Sequence, residues 1–165
     1  MRHDSDFAAY LAARWPTLVR SLVLMGCGQQ RAEEVVEQAL ARCYLAWGRV
    51  RESDDIDVQV YRGVLDTLAR AEEPGEPGTL DSDDLASGDD ALTVPTDALQ
   101  ARRALEAALG RLAPEDRTVV VLHFVAGLSE LQLADLLDLP EHEVADRLEA
   151  ATTGLDLPRV WEATR

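Results

Sequence analysis

The chain has 165 residues and a formal net charge of −15, with 31 acidic residues against 16 arginines and no lysine. This length suits one domain or two small ones, and a hydrophobic content of 47% is sufficient for a packed core. No apolar run reaches the roughly 18 residues that a membrane-spanning helix needs, so no such helix is expected.

The residue inventory argues against a metalloprotein, an enzyme and an exported protein. Cys27 and Cys43 form no CxxC pair and have no clustered histidines, so neither a zinc site nor another cofactor is expected. The sequence also has no phosphate-binding loop, nucleophile elbow or HExxH motif, so no catalytic residue is predicted and no small-molecule substrate is expected. Asp4, Asp6 and Arg14 interrupt any apolar segment at the N-terminus, which indicates a cytoplasmic protein without a signal peptide.

Three amphipathic helices are predicted in the first part of the chain. The first covers residues 5–25, where Pro16 is expected to kink or divide the helix because proline lacks an N–H donor. The second, over residues 31–47, has the strongest pattern, since apolar residues recur at intervals of three and four until Gly48 ends it. A third helix is expected over residues 56–70.

The middle of the chain is acidic, and helices return after it. Residues 71–99 hold nine acidic residues and no basic one, a net charge of −9. Because such a stretch buries too little apolar surface to offset its ordering entropy, a flexible linker is predicted over residues 72–96. Helices are then expected over 97–111 and 114–125, with a further short helix near Trp161.

The segment from residue 127 to residue 150 has the pattern of a helix-turn-helix. Ser129 is placed to cap the first helix, and Asp138 lies at the tight turn, where aspartate tolerates a left-handed backbone. Val144 and Leu148 are four residues apart, so they direct the second helix back onto the first. In DNA-binding proteins with this motif the second helix enters the major groove.

These elements predict an all-α fold of two small helical domains joined by an acidic linker. The first domain would cover residues 1–71 and the second residues 97–165, the second containing the helix-turn-helix. No strand pattern and no internal repeat competes with this interpretation.

In this order, the elements resemble the extracytoplasmic-function (group IV) sigma factors of bacterial RNA polymerase. RAEEVVEQALARCYLAWGRV at 31–50 is similar to the polymerase-binding helices of that family's first domain, and FAAYLAARWPTLVRSLVLM at 7–25 matches less specifically. LGRLAPEDRTVVVLHFVAGLSELQLADLLDL at 109–139 resembles the opening of its promoter-binding second domain. The resemblance implies two partners, core RNA polymerase and promoter DNA, and allows an anti-sigma protein as a third.

The resemblance places the polymerase-binding surface on the second helix. An acidic face is physically reasonable there, since the family's partner surface is basic; the alternative is an ordinary solvated helix face. The residues it assigns to polymerase binding are Glu33, Glu34, Glu37, Gln38 and Arg42.

Promoter reading would fall to the helix from Glu141 to Ala151, whose charge is unusual for DNA binding. Ala145 and Glu149 stand where the family favours cations, and four acidic residues oppose phosphate contacts. The third predicted helix also runs into acidic sequence, without the aromatic and basic residues by which the family holds the opened promoter element. The residues assigned to DNA binding are Ser129, His142, Glu143 and Arg147.

The sequence alone leaves three functions open. The chain is a sigma factor that directs polymerase to promoters, a degenerate sigma-like regulator that binds polymerase or another protein without reading DNA, or a helical scaffold unrelated to transcription. For Arg147, a surface or intrahelical ion pair, for instance with Glu143 one helical turn earlier, is favoured over a promoter contact.

Overall fold

The computed structural model describes residues 2–71 and 96–155, and within them every regular element is an α-helix. The all-α prediction is therefore confirmed. The predicted linker, apart from its last residue, and the predicted helix near Trp161 lie outside the described residues. In chain order the helices are α1 (Arg2–Leu24), α2 (Gln29–Leu45), α3 (Trp47–Val50), α4 (Ile56–Ala71), α5 (Thr96–Gly110), α6 (Pro114–Phe124), α7 (Glu130–Leu137) and α8 (Glu141–Leu155).

Helix α1 continues through Pro16 and is not divided there. A proline inside a helix removes one backbone hydrogen bond, so the helix must be held together by other interactions. The apolar stripe that follows Pro16 supplies them, because most of helical stability in proteins comes from burying such a face. The buried residues of this stripe are Leu18, Val19, Leu22, Val23 and Leu24.

The sequence pattern predicts that Gly48 ends the second helix, and this prediction is wrong. Helix α2 ends at Leu45, and Gly48 lies inside the short helix α3 that follows Ala46. Trp47 explains the early break, since its side chain is 2% exposed and packs against Phe7 of α1 with ring centroids 5.1 Å apart. Turning the chain at Ala46 directs this indole into the core.

The core of the described residues is a single, mainly aliphatic cluster of side chains to which both the N-terminal and the C-terminal helices contribute. Helix α2 packs against α1 and α4, and α8 packs against α6 and α7. With aromatic residues at only 5% of the chain, leucine, valine and alanine fill most of this core. In α4, Val60 and Val64 are fully buried, whereas Leu65 and Leu68 are half-buried.

The C-terminal helices also lie directly against the N-terminal ones. Helix α7 packs on α4, and α6 approaches α1. Between α1, α2 and α5 there is an open groove of about 480 Å³, to which Trp15 and Leu105 contribute apolar surface and Glu33 and Arg102 contribute charge. Because α7 packs on α4, the helix-turn-helix lies beside α4.

Candidate functional site

The helix-turn-helix is built as the sequence predicts. The Ser129 hydroxyl accepts a hydrogen bond from the Gln132 backbone N–H (3.2 Å), and the Gln132 side chain accepts one from the Ser129 N–H (2.7 Å). This reciprocal pair is a capping box, which satisfies two backbone donors at the start of α7. Asp138 ends α7 with φ 55° and ψ 44°, the left-handed conformation expected at the turn.

Helix α8 is held by its inner face and presents an acidic outer face. Val144, Leu148 and Ala151 are buried against the rest of the helix-turn-helix. The exposed residues in its first three turns are Glu141, His142, Asp146, Glu149 and Ala150. A helix with this outer face repels DNA phosphates unless its single arginine reaches them.

That arginine, Arg147, is already paired with two carboxylates. Its guanidinium donates to Glu143 Oε1 at 2.8 Å and lies 3.7 Å from an Asp116 carboxylate oxygen on α6. The hydrogen bond to Glu143 is the main reason why the pKa of Arg147 rises above its ordinary value. The predicted pair with Glu143 is confirmed, and Asp116 is a partner that the sequence did not indicate.

The residues assigned to polymerase binding share the outer face of α2. Glu33, Glu34, Glu37, Gln38 and Arg42 are all exposed. Two of the acids are held by glutamines one turn earlier on the same helix, Glu33 by Gln29 at 2.6 Å and Glu34 by Gln30 at 3.0 Å. Arg42 donates to the Thr67 hydroxyl of α4 at 3.1 Å, which ties the end of this face to the neighbouring helix. The structure thus brings these five residues onto one accessible and mostly acidic surface.

The described aromatic residues near α3 serve packing. Phe7, Tyr10, Tyr44 and Trp47 form one cluster with ring centroids 5.0–5.3 Å apart. Because Trp47 is buried, its ring offers no face on which a flipped base could stack.

Sequence reasoning did not anticipate the contact between α4 and α7. Arg62 of α4 donates both to the backbone oxygen of Asp135 (2.8 Å) and to its carboxylate (3.0 Å). Gln132 of α7 donates to the Asp55 carboxylate, just before α4 begins. The partners are 73 and 77 residues apart in sequence, so no local pattern could have paired them.

A model of a known protein family matches the C-terminal helices. The family model "Sigma-70, region 4" matches residues 102–151, which run from α5 through the helix-turn-helix. Residues 102–151 are therefore similar to sigma-70 region 4, and we call them the region 4 domain. No curated protein sequence matches the chain significantly.

A solved structure shares the fold of this chain over nearly its whole length. A solved structure of CnrH in complex with the cytosolic domain of CnrY matches with a TM-score of 0.64 and 18% sequence identity. The match covers 93% of this chain and 87% of that one. The region 4 domain and the N-terminal helices thus occur together in one known architecture, which is the architecture that the sequence motifs predicted.

The described residues contain neither a metal-binding cluster nor a membrane-spanning helix. Across residues 2–71 and 96–155 there is no group of three or more histidine, cysteine, aspartate or glutamate side chains that could hold a metal ion. None of the helices in these ranges is both long and apolar enough to cross a membrane.

Proposed function

We propose that this protein is a sigma factor, which binds core RNA polymerase, directs it to promoters and so starts transcription. The observation that carries this proposal is the region 4 match on a correctly formed helix-turn-helix. The fold shared with CnrH over 93% of the chain supports it, because the match includes the N-terminal helices, to which the sequence resemblance assigns polymerase binding.

The acidic face of α2 is the proposed polymerase-binding surface. Glu33, Glu34, Glu37 and Gln38 are exposed, and the hydrogen bonds from Gln29 and Gln30 restrain two of the carboxylates. A fixed row of negative charge suits a basic partner surface, since complementary charge steers association and sets specificity. Arg42 is assigned to the edge of the same surface.

The helix-turn-helix is the proposed promoter-binding surface, with Ser129, His142, Glu143 and Arg147 as its assigned residues. In this motif the second helix contacts bases, and the first crosses the backbone. Arg147 would have to exchange Glu143 and Asp116 for a phosphate or a base edge.

One observation favours a second candidate, a sigma-like regulator that binds polymerase without reading DNA. The exposed side of α8 is acidic, and its arginine is neutralised by two carboxylates. Under this alternative the polymerase-facing surface keeps its role, and the helix-turn-helix contacts protein.

An anti-sigma protein is the third proposed partner. CnrH was solved in complex with the cytosolic domain of CnrY, and the present chain shares that fold. We place these interactions in the cytoplasm, where RNA polymerase acts.

Run-off transcription with purified core polymerase and genomic DNA fragments separates the two candidate functions. A sigma factor yields transcripts that begin at discrete positions and depend on the added protein. A regulator that does not read DNA binds polymerase but yields none. The reversal of Glu34 and Glu37 to arginine serves as the negative control, since it is expected to remove polymerase binding and therefore the transcripts.

A further inference from the structure

The open groove of about 480 Å³ between α1, α2 and α5 has a largely apolar lining. The half-buried side chains of Trp15 and Leu105 line it from α1 and α5. Val19 and Val23 of α1, which are buried, also contribute. Because ligand sites are concave and mostly apolar, with a few polar groups that fix orientation, this groove has the form of a binding site.

The charged side chains of the groove favour a negatively charged ligand. Glu33 accepts a hydrogen bond from Gln29 at 2.6 Å, and Arg102 pairs with Glu106 at 2.9 Å. Arg20 is exposed, and its side chain has no hydrogen bond or ion pair within the part of the chain that the structure describes. A ligand that combines apolar side chains with carboxylates therefore complements both the lining and Arg20.

The chain enters and leaves residues 72–95, here called the acidic segment, close to this groove. Helix α4 ends at Ala71, whose carbonyl oxygen accepts a hydrogen bond at 2.6 Å from Arg31, in the part of α2 that lines the groove. Helix α5 begins at Thr96 and reaches the groove at Arg102, less than two helical turns later. Since a chain of this length can extend over roughly 80 Å, the acidic segment is long enough to enter the groove.

The sequence of the acidic segment has the two properties that the groove requires. It contains no basic residue, and each of its leucines lies within two positions of an aspartate. Leu85 is the clearest case, because it directly follows Asp83 and Asp84. A leucine of this segment that packs in the groove thus brings a carboxylate close to the exposed Arg20.

We propose that the groove between α1, α2 and α5 is a peptide-binding site whose ligand is the acidic segment of the same chain. The leucines of the segment pack against Trp15 and Leu105, and its aspartates face Arg20. A protein partner that uses this groove has to displace the segment first. The proposal concerns the free chain and does not rest on the binding of polymerase or DNA.

A weak interaction is sufficient, because the ligand is tethered to its site. A flexible connection of this kind gives an effective concentration on the order of 1 mM. With a dissociation constant of about 100 µM, the segment then occupies the groove in roughly nine-tenths of the molecules. A free peptide of the same sequence has to compete with the tethered segment.

A fluorescently labelled peptide of residues 72–95 tests the proposal by anisotropy. The proteins are full chains, namely the parent and a segment variant in which Leu80, Leu85 and Leu92 are replaced by serine. We expect the segment variant to bind the peptide with a Kd of about 100 µM. The parent should bind it about tenfold more weakly, because its own segment competes.

Charge reversal in the segment variant tests whether the peptide lies in the groove. Arg20→Glu should weaken peptide binding about threefold or more, because it replaces an attraction by a repulsion. Arg111→Glu is the control, since it makes the same charge change at an exposed position outside the groove. Equal losses from the two reversals would overturn the groove as the site.

Equal peptide binding by the parent and the segment variant would overturn the acidic segment as the ligand, as would no binding by the segment variant at about 1 mM peptide. A second variant, with Asp83→Arg and Asp84→Arg in the full chain, should also bind the peptide more tightly than the parent. Circular dichroism checks that each variant is folded. A mass that rises with protein concentration in sedimentation would overturn the proposal in favour of a second copy as the occupant.

Discussion

Arg147 is the only arginine in α8, and both of its partners are acidic. For this residue to contact DNA, the free energy of its interaction with a phosphate must exceed that of its interactions with Glu143 and Asp116. Since Glu143 is on the same helix and Asp116 is on the adjoining α6, neither moves away when the region 4 domain docks as a unit. The local balance of charge on α8 therefore decides how strongly this domain binds DNA.

Adding cations to α8 should strengthen DNA binding. Glu149→Arg combined with Ala145→Lys introduces two positive charges on this helix, and each new phosphate contact should steepen the dependence of log K on log salt by about one unit. Fluorescence anisotropy with duplex DNA at several salt concentrations measures this slope. Glu130→Arg on α7 makes the same charge change as Glu149→Arg alone and is the control for that single variant, and an equal effect from the two would show that α8 does not face the groove.

Tyr10 gives a prediction about pH. Burial is the main cause that raises the pKa of Tyr10 above its ordinary value of 10.0, and the hydrogen bond from its hydroxyl to Asp57 adds to the effect. A phenol whose pKa is higher in the folded state contributes stability that is present below pH 10.0 and lost as pH rises above it.

The free energy of unfolding should therefore fall more steeply above pH 10 in the parent protein than in Tyr10→Phe, by up to about 1.4 kcal/mol per pH unit. Urea unfolding followed by circular dichroism at pH 8 to 11 measures both curves. Parallel curves would mean that Tyr10 ionises equally in the folded and unfolded chains.

At the level of the element, α7 shows how one short helix is specified at both ends and along one face. The capping box fixes its start, the left-handed Asp138 fixes its end, and Leu133 and Leu136 are buried. An eight-residue helix is too short to be stable alone, so the burial of this face holds it in place.

Two leucines of α7 allow a matched test of that burial. Leu133 is 0% exposed and Leu131 is 65% exposed. Leu133→Ala should lower the free energy of unfolding by about 2–5 kcal/mol, because it removes buried surface and leaves a cavity. Leu131→Ala should change it by less than about 0.5 kcal/mol. Chemical denaturation of the two variants compares these values, and similar losses would contradict the described packing of α7.

Ser129→Ala tests the start of the same helix. The alanine removes the acceptor for the Gln132 N–H and should cost about 1 kcal/mol of stability. Thr153→Ala is the control, since Thr153 is an exposed hydroxyl residue of α8 that bonds the Glu149 carbonyl within its own helix. A loss no greater than that of the control would argue against the cap.

These elements also show which features the sequence could predict. The cap at Ser129, the turn at Asp138 and the pair of Arg147 with Glu143 all depend on residues at most four positions apart, and all were predicted. The partner Asp116 and the contact between Arg62 and Asp135 depend on how separate helices pack. The end of α2 was misplaced for the same reason, because the burial of Trp47 against Phe7 outweighs the local tendency of Gly48 to end a helix.

At the level of the whole molecule, the fold is shared with a known protein, whereas the surface charge is particular to this chain. The chain shares its fold with CnrH at 18% identity, which is possible because a fold needs the pattern and volume of its core more than particular residues. The surface is where this chain differs from what the resemblance implied, with an acidic α8 and a net charge of −15. The proposed polymerase-binding surface lies on α2, so we expect polymerase binding not to depend on the charge of α8.

Co-purification of the tagged full-length protein with core RNA polymerase tests that step directly. We expect the parent protein to retain polymerase, the variant with Glu34→Arg and Glu37→Arg to lose it, and Asp66→Arg, at an exposed position on α4, to retain it. If the parent protein and the α2 variant are equally unable to retain polymerase, the assignment of this chain as a sigma factor is contradicted.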